Sequence, residues 1–197
     1  MAAIDVLQRD VARSGVALSE SDRTVIRDRL KDFGAAAGET VQAQTRVADQ
    51  WLFLTEGIMA SEQTWPDGST SIARFFETGH ICANLTSAWT RELAADELIA
   101  ITDVVGLSLP DAFFRQEYLR GGAFGTYLRI KTMETLLLDK ELICAKTSGQ
   151  IEPRYRFLEQ HHAEVLTRTR QKDIARFLGV TPQGLSRFLK RRIGSDG

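Results

Sequence analysis

One glycine and one proline divide the stretch from Arg170 to Arg191 into two short amphipathic segments, and few arrangements admit that pattern. Ile174, Ala175, Phe177 and Leu178 recur at helical spacing, and Gly179 follows where a helix ends on a residue that tolerates positive φ. The first helix is therefore predicted to stop at Leu178. Thr181 is placed to accept a hydrogen bond from the free amides of the next turn, and Pro182 takes a first helical position, where its missing donor costs nothing. In the second helix Leu185, Phe188 and Leu189 stand three and four apart, which buries one side and leaves Gln183, Gly184, Ser186, Arg187 and Lys190 on other faces. This is the pattern of a helix-turn-helix. A plain helical hairpin with a solvated basic face carries the same local signals, so charge has to be weighed beside it.

Residues 151 to 197 hold ten Lys or Arg against five Asp or Glu, whereas the other 150 residues hold fifteen against twenty-one. A chain of net charge −1 thus carries a basic end on an acidic body. Arg187, Lys190, Arg191 and Arg192 close the second helix, where cations favour both the helix dipole and nearby phosphates; a helix cap with a solubilising tail is the plainer alternative. In helix-turn-helix units the first turns of the second helix meet base edges in the major groove, and Gln and Arg are able to make two hydrogen bonds to adenine and guanine. Gln183 and Arg187, with Gly184 between them, are the candidate base readers. Thr181, Ser186, Gln171, Lys172, Lys190 and Arg191 are the candidates to position phosphates, contacts that set register without carrying sequence information.

With 197 residues, 43% hydrophobic and 26% charged, the chain has the length for one large domain and one small one. No apolar run approaches the roughly 20 residues that span a bilayer, and Met-Ala-Ala-Ile-Asp lacks the basic and apolar regions of a signal peptide, so a cytoplasmic location is expected. Cys82 and Cys144 are too few and too isolated for a disulfide framework, a zinc ribbon or an iron-sulfur cluster, and both are expected to be reduced packing residues.

Two helical stretches open the chain. Ser19 with Asp22 three positions later forms a start signal, and Val25, Ile26, Leu30 and Phe33 follow at helical spacing before Gly34. From Gly38 the period changes. Thr40 to Gln44, Gln50 to Leu54 and Ser71 to Phe76 read as strands between turns at Gly38, Gly57, Pro66-Asp67-Gly68 and Gly79. A last apolar run, Leu98 to Leu109, ends at Pro110, which with Asp111 opens another helix. Turn signals about every 10 to 12 residues predict a small antiparallel sandwich or barrel rather than a parallel sheet.

Residues 121 to 147 contain no proline and carry the longest helical pattern. Ile130, Met133, Leu137 and Cys144 form one stripe, with Lys140 in the missing place, and Phe124, Tyr127, Leu138, Leu142 and Ala145 form a second beside it. Two stripes make the apolar face wider than an isolated pair of helices needs, so the first is expected to meet a partner chain and the second the sandwich. A helix buried in a monomeric core has the same pattern.

Short helices, Gly-punctuated strands, a long helix and a terminal helix-turn-helix together resemble the Crp/Fnr family of bacterial transcription regulators over nearly the whole chain. The most specific portion is the end, Arg154-Tyr155-Arg156-Phe157-Leu158 and then Gln171 to Arg187. The N-terminal part rests on Leu54-Thr55-Glu56-Gly57, the Asp67-Gly68 turn and Phe75 to Gly79. The resemblance implies an α+β fold: a cyclic-nucleotide-binding-like β-roll over residues 1–118, a dimerisation helix over 119–148 and a DNA-binding domain over 149–197. It also implies a homodimer on inverted-repeat operators, tuned by a small-molecule effector in the roll, with RNA polymerase as a further partner.

Two departures qualify that expectation. Cyclic-nucleotide binders of the family grip the phosphate with a Gly-Glu pair and a downstream Arg-Ser/Thr-Ala, because a buried phosphate needs backbone donors and a bidentate cation. Here the turn reads Gly79-His80-Ile81-Cys82-Ala83-Asn84-Leu85, and Leu93-Ala94-Ala95 stand where the arginine motif belongs, with Arg91 the nearest cation. Leu85, Arg91, Leu93, Ala94 and Ala95 then line the expected pocket, and its effector is not cAMP. The N-terminal cysteines of the family's iron-sulfur sensors are also missing. Second, few residues follow the second helix, so a reduced wing is expected. No metal or cofactor is expected: His161 and His162 are adjacent on a helix and diverge by about 100 degrees, and His80 reads as a surface turn residue. No nucleophile-base pair, carboxylate pair or phosphate loop marks an enzyme. A ligand-binding or interaction module with a degenerate helix-turn-helix, and a true cyclic-nucleotide receptor, remain as alternative readings.

Overall fold

The computed structural model describes residues 2–195. Two helices come first, α1 (Ala3–Arg13) and α2 (Glu20–Arg29), followed by β1 (Lys31–Ala35), β2 (Thr40–Gln42), β3 (Gln50–Glu56), β4 (Met59–Thr64), β5 (Thr70–Phe76) and β6 (Ile81–Cys82). A short helix α3 (Leu85–Thr90) precedes β7 (Glu97–Ala100) and β8 (Val104–Pro110). Then come α4 (Asp111–Arg120), α5 (Ala123–Thr147), α6 (Ile151–His161), α7 (Ala163–Arg168), α8 (Gln171–Leu178) and α9 (Pro182–Ser195).

Ser19 caps α2 as predicted: its hydroxyl accepts from the Asp22 amide at 3.1 Å, while the Asp22 carboxylate accepts from the Ser19 amide at 2.9 Å. The helix ends at Arg29, however, and does not run on to Phe33. Lys31–Ala35 is a strand paired antiparallel to β8, with Phe33 opposite Gly106. The helical spacing of Ile26, Leu30 and Phe33 yields to a ladder formed with a strand far along the chain.

The strands form two antiparallel four-stranded sheets, ordered β1-β8-β3-β6 and β2-β7-β4-β5. β3 shows why the sheets face each other. Leu52 and Leu54 join Met59, Phe76 and Leu98 between the sheets, whereas Trp51 and Phe53, on its other face, meet α1, α4 and α5. The apolar run from Leu98 to Leu109 is two strands, broken between Ala100 and Val104. Gly57 has φ 92°, and an added Cβ would meet the backbone of Asp103 and Val104, so only glycine fits the turn from β3 to β4. The paired sheets form the expected roll.

On the helical side, Tyr127 of α5 is fully buried and its hydroxyl donates to Asp10 of α1 at 2.7 Å. α4 and α5 meet at an elbow where Gly125 lies against the Glu117 carbonyl with no space for a Cβ. The second stripe of α5 packs as predicted, with Phe124, Tyr127 and Leu142 buried and Leu138 and Ala145 half-buried. The first stripe is open: Met133 and Leu137 are each 57% exposed, Leu136 and Ile143 lie beside them, Cys144 is exposed, and Ile130 is half-buried. Cys82 is a buried packing residue, but Cys144 is not.

The last four helices pack on the outer face of the second sheet. Ile58, Ala60, Ile72 and Phe75 of the roll share one cluster with Leu158, Ile174, Phe177 and Leu178. Between β4 and β5 the register shifts: Ser61 faces Arg74 and Glu62 faces Ile72, leaving Ala73 as the extra residue of a β-bulge. No helix among the described residues is long and apolar enough to cross a membrane.

Candidate nucleic-acid interface and the cavity beside it

The turn between α8 and α9 is built as the sequence predicts. Gly179 ends α8 in the left-handed region at φ 65°, and the Val180 amide donates back to the Ala175 carbonyl at 3.0 Å. Thr181 Oγ1 accepts from the Gly184 amide at 3.0 Å, which caps the second helix while leaving the hydroxyl proton free to donate. Ile174, Ala175, Phe177, Leu178, Leu185 and Phe188 are buried together. That core leaves one face of α9 to solvent: Gln183, Arg187, Lys190 and Arg191 are exposed, and Gly184 and Ser186 are half-buried. Gln171 and Lys172 are exposed at the start of α8.

Arg192 behaves differently from its neighbours. Its guanidinium binds the Glu159 carboxylate at 2.8 and 3.1 Å, lies 3.6 Å from Glu152, and sits 4.8 Å from the Tyr155 ring, so it ties α9 to α6. Its hydrogen bonds to Glu159 hold its pKa above the usual arginine value. Arg187, Lys190 and Arg191 have no carboxylate partner among the described residues, and together with Val180 and Ile151 they line a cleft of about 610 Å³ beside α9. No strand follows α9 among the described residues.

The α8–α9 pair is fastened to the roll through α8. Phe177 meets Phe75 at 5.3 Å, Arg176 pairs with Glu62 of β4 and with Asp173 of its own helix, and Lys146 of α5 lies 5.0 Å from the Phe177 ring. A second fastening lies at the α6–α7 junction. His162 is buried with Nδ1 2.8 Å from the Glu77 carboxylate, whose other oxygen accepts from the Val165 amide at 3.2 Å. His80 is half-buried: it packs edge-on against His162 at 5.8 Å and accepts from the Glu77 amide at 2.9 Å. Burial first, and His162 next, push its pKa from 6.5 down to about 4. No cluster of His, Cys, Asp and Glu able to hold a metal ion occurs among the described residues.

Between the roll and α5 lies a cavity of about 340 Å³. Phe76, Ala83, Leu85, Leu142 and Ile143 form its apolar walls; Arg74, Asp96, Asp139 and Lys146 are its charged groups. Of the five residues assigned to a pocket from sequence, only Leu85 lines it. Leu93 is 66% exposed, the Ala94 amide donates to Arg46, and the Ala95 carbonyl accepts from Gln44. Arg91 caps α3 in the left-handed region and bonds Asp111, at 3.0 Å. That buried carboxylate also accepts from Arg115 at 2.8 Å and from the Trp51 indole at 2.9 Å, so Arg91 serves the start of α4. The cavity's own cations, Arg74 on β5 and Lys146 on α5, went unnoticed because no short motif links strand and helix.

Solved structures share this architecture. FixK2 from Bradyrhizobium japonicum matches with a TM-score of 0.68 and 16% identity, over 85% of this chain and 86% of that one. A CooA mutant from Carboxydothermus hydrogenoformans matches with 0.65 and 15%, over 88% and 80%. The c-di-GMP responsive global regulator CLP of Xanthomonas campestris gives 0.58 and 12%, over 86% and 89%. No protein-family model matches the chain, and no curated protein matches it in sequence. The chain therefore has the fold of the Crp/Fnr regulators, a cyclic-nucleotide-binding-like roll, a long helix and a helical C-terminal unit.

Proposed function

We propose that this protein is a sequence-specific DNA-binding transcription regulator of the Crp/Fnr type. One observation carries the reading: a helix-turn-helix whose apolar residues are all engaged presents Gln183, Arg187, Lys190 and Arg191 on one exposed face with no carboxylate beside them among the described residues. Gln183 and Arg187 read base edges in the major groove, and Gly184 permits close approach. Gln171, Lys172, Thr181, Ser186, Lys190 and Arg191 hold phosphates, where charge gives affinity without sequence preference.

The division of labour follows the chain. Residues 1–118 sense, 119–148 pair and 149–197 bind DNA. Pairing runs along the exposed stripe of Ile130, Met133, Leu137 and Cys144, a second copy covering apolar surface that one chain leaves open. An effector other than cAMP occupies the cavity between roll and α5. Selection of bound sequences from random duplex oligonucleotides tests the reading: enrichment of an inverted repeat supports it, whereas salt-dependent binding with no enriched sequence, or none at all, leaves a ligand-binding module with a degenerate helix-turn-helix.

A further inference from the structure

The charged groups of the cavity are already engaged from within. Arg74 pairs with Asp139 of α5 and reaches the Thr135 carbonyl at 3.4 Å, and only 16% of its side chain is exposed. Asp96 is held by the Ser61 hydroxyl and the Asn84 amide. Lys146 donates to the Ala73 carbonyl at 2.8 Å, the carbonyl of the extra residue in the β5 bulge. Two cations and two carboxylates sum to zero. An anion drawn to Lys146 would find Arg74 held by Asp139 and would lie beside two carboxylates, which like-charge repulsion and burial both oppose.

An uncharged ligand meets no such obstacle. The apolar walls, Phe76, Leu142 and Ile143 among them, suit a flat ring, while Asp96, Asp139, Lys146 and Thr86 offer acceptors and donors to hydroxyl groups. The volume of about 340 Å³ stands at the small end of ligand pockets, which run from about 300 to 1,000 Å³. We propose that this cavity binds an uncharged nucleoside and excludes the corresponding cyclic nucleotide, because Asp139 keeps Arg74 closed to phosphate. The proposal rests on the effector role given to this cavity above, and names its ligand class.

The occupant reaches the helix-turn-helix through Lys146. This ammonium faces the cavity, holds the bulge at Ala73 and lies against Phe177. Burial, with help from Arg154 and Arg74, lowers its pKa to about 8, and a ligand acceptor that replaced the carbonyl would take over its hydrogen bond. A ligand that draws Lys146 inward loosens the contact between α8 and β5.

Thermal melts of the full chain with millimolar adenosine, guanosine, cytidine or uridine, and with cyclic AMP and cyclic GMP, test the ligand class. At least one nucleoside is expected to raise the midpoint by several degrees while the cyclic nucleotides leave it unchanged. Asp139→Asn frees Arg74 and should gain cyclic-nucleotide binding at least tenfold by calorimetric titration. Silence from all four nucleosides overturns the proposal, as does a cyclic nucleotide that stabilises the unaltered protein equally well. So does an Asp139→Asn protein that melts normally and gains nothing. With DNA present, a nucleoside should shift affinity in the unaltered protein and not in Lys146→Met. A protein that binds nucleoside but no DNA sequence refutes the regulator reading alone; one that selects an operator but ignores nucleosides refutes the ligand class alone.

Discussion

Phe75 of β5 and Phe177 of α8 meet at 5.3 Å with their rings tilted by 36°, and through this contact the roll touches the α8–α9 pair. Both rings are buried. Phe177→Ala should destabilise the protein by about 3 to 5 kcal/mol, as large aromatic truncations in cores do. In a double-mutant cycle with Phe75→Ala, urea unfolding should show a coupling of about 0.5 to 1.5 kcal/mol. A coupling near zero would mean that the two units fold without sensing each other.

The proposed recognition by α9 separates into two kinds of contact. Arg187→Ala should cost about 1 to 3 kcal/mol and relax preference at one base pair of each half-site, whereas Lys190→Ala should weaken all sequences alike and reduce the salt slope by about 1. Anisotropy titrations against the selected operator and single-base variants measure both. Full discrimination by the Arg187→Ala protein removes that residue from the base readers.

The proposed assembly uses the open stripe of α5. Leu137→Glu puts an unpaired charge into the proposed seam at a cost of several kcal/mol, and light scattering should then report monomers. The operator of the dimer should be an inverted repeat whose half-sites lie about 34 Å apart, one turn of the duplex. A Leu137→Glu protein that stays dimeric moves the seam elsewhere.

Stability should fall in mild acid through His80. Its folded pKa, about 4, lies below its ordinary 6.5, so the unfolded chain takes up a proton before the native protein does. The contribution is complete above about pH 6.5 and shrinks as pH falls toward 4, by at most about 3 kcal/mol. His162, Glu77, Lys131 and Arg74 are the charged or titratable groups around it. His80→Gln should flatten the slope of denaturation midpoints over that window; an unchanged slope assigns the effect to another group.

Asp111 and Arg91 should differ sharply in weight. Asp111→Ala leaves the buried Trp51 indole without an acceptor and takes the carboxylate from Arg91 and Arg115, which keep only backbone carbonyls, a loss of about 3 to 5 kcal/mol. Arg91 has 53% of its side chain exposed, and Arg91→Ala should cost about 1 kcal/mol or less. Equal costs in denaturant titrations would contradict the geometry.

What the sequence reveals here is what neighbours along the chain decide. Gly179, Thr181 and Pro182 set the turn of the helix-turn-helix within a few residues, and Ser19 with Asp22 sets the start of α2, so both stand where their spacing predicts. β1 hides inside a helical spacing because its partner β8 lies far along the chain. The cavity is hidden for the same reason: Arg74, Asp96, Asp139 and Lys146 come from a strand, a loop and two turns of α5, and nothing local brings them together. Arg91 misleads because a lone cation near a pocket motif resembles a phosphate grip, whereas its guanidinium serves a buried carboxylate at the start of α4.

The missing side chain at Gly125 reaches further than its own contact. With 25 residues, α5 is a rigid rod about 37 Å long, pivoted near one end where its backbone touches Glu117. A methyl group there would tilt the rod, and a tilt of about 10° would swing its far end by about 6 Å, roughly the rise of one helical turn. Because α6 to α9 follow from that end while α8 is fastened to β5, a single carbon at the pivot would strain the contact between Phe177 and Phe75. The fit of the last helices against the roll is thus gauged by an atom that is not there.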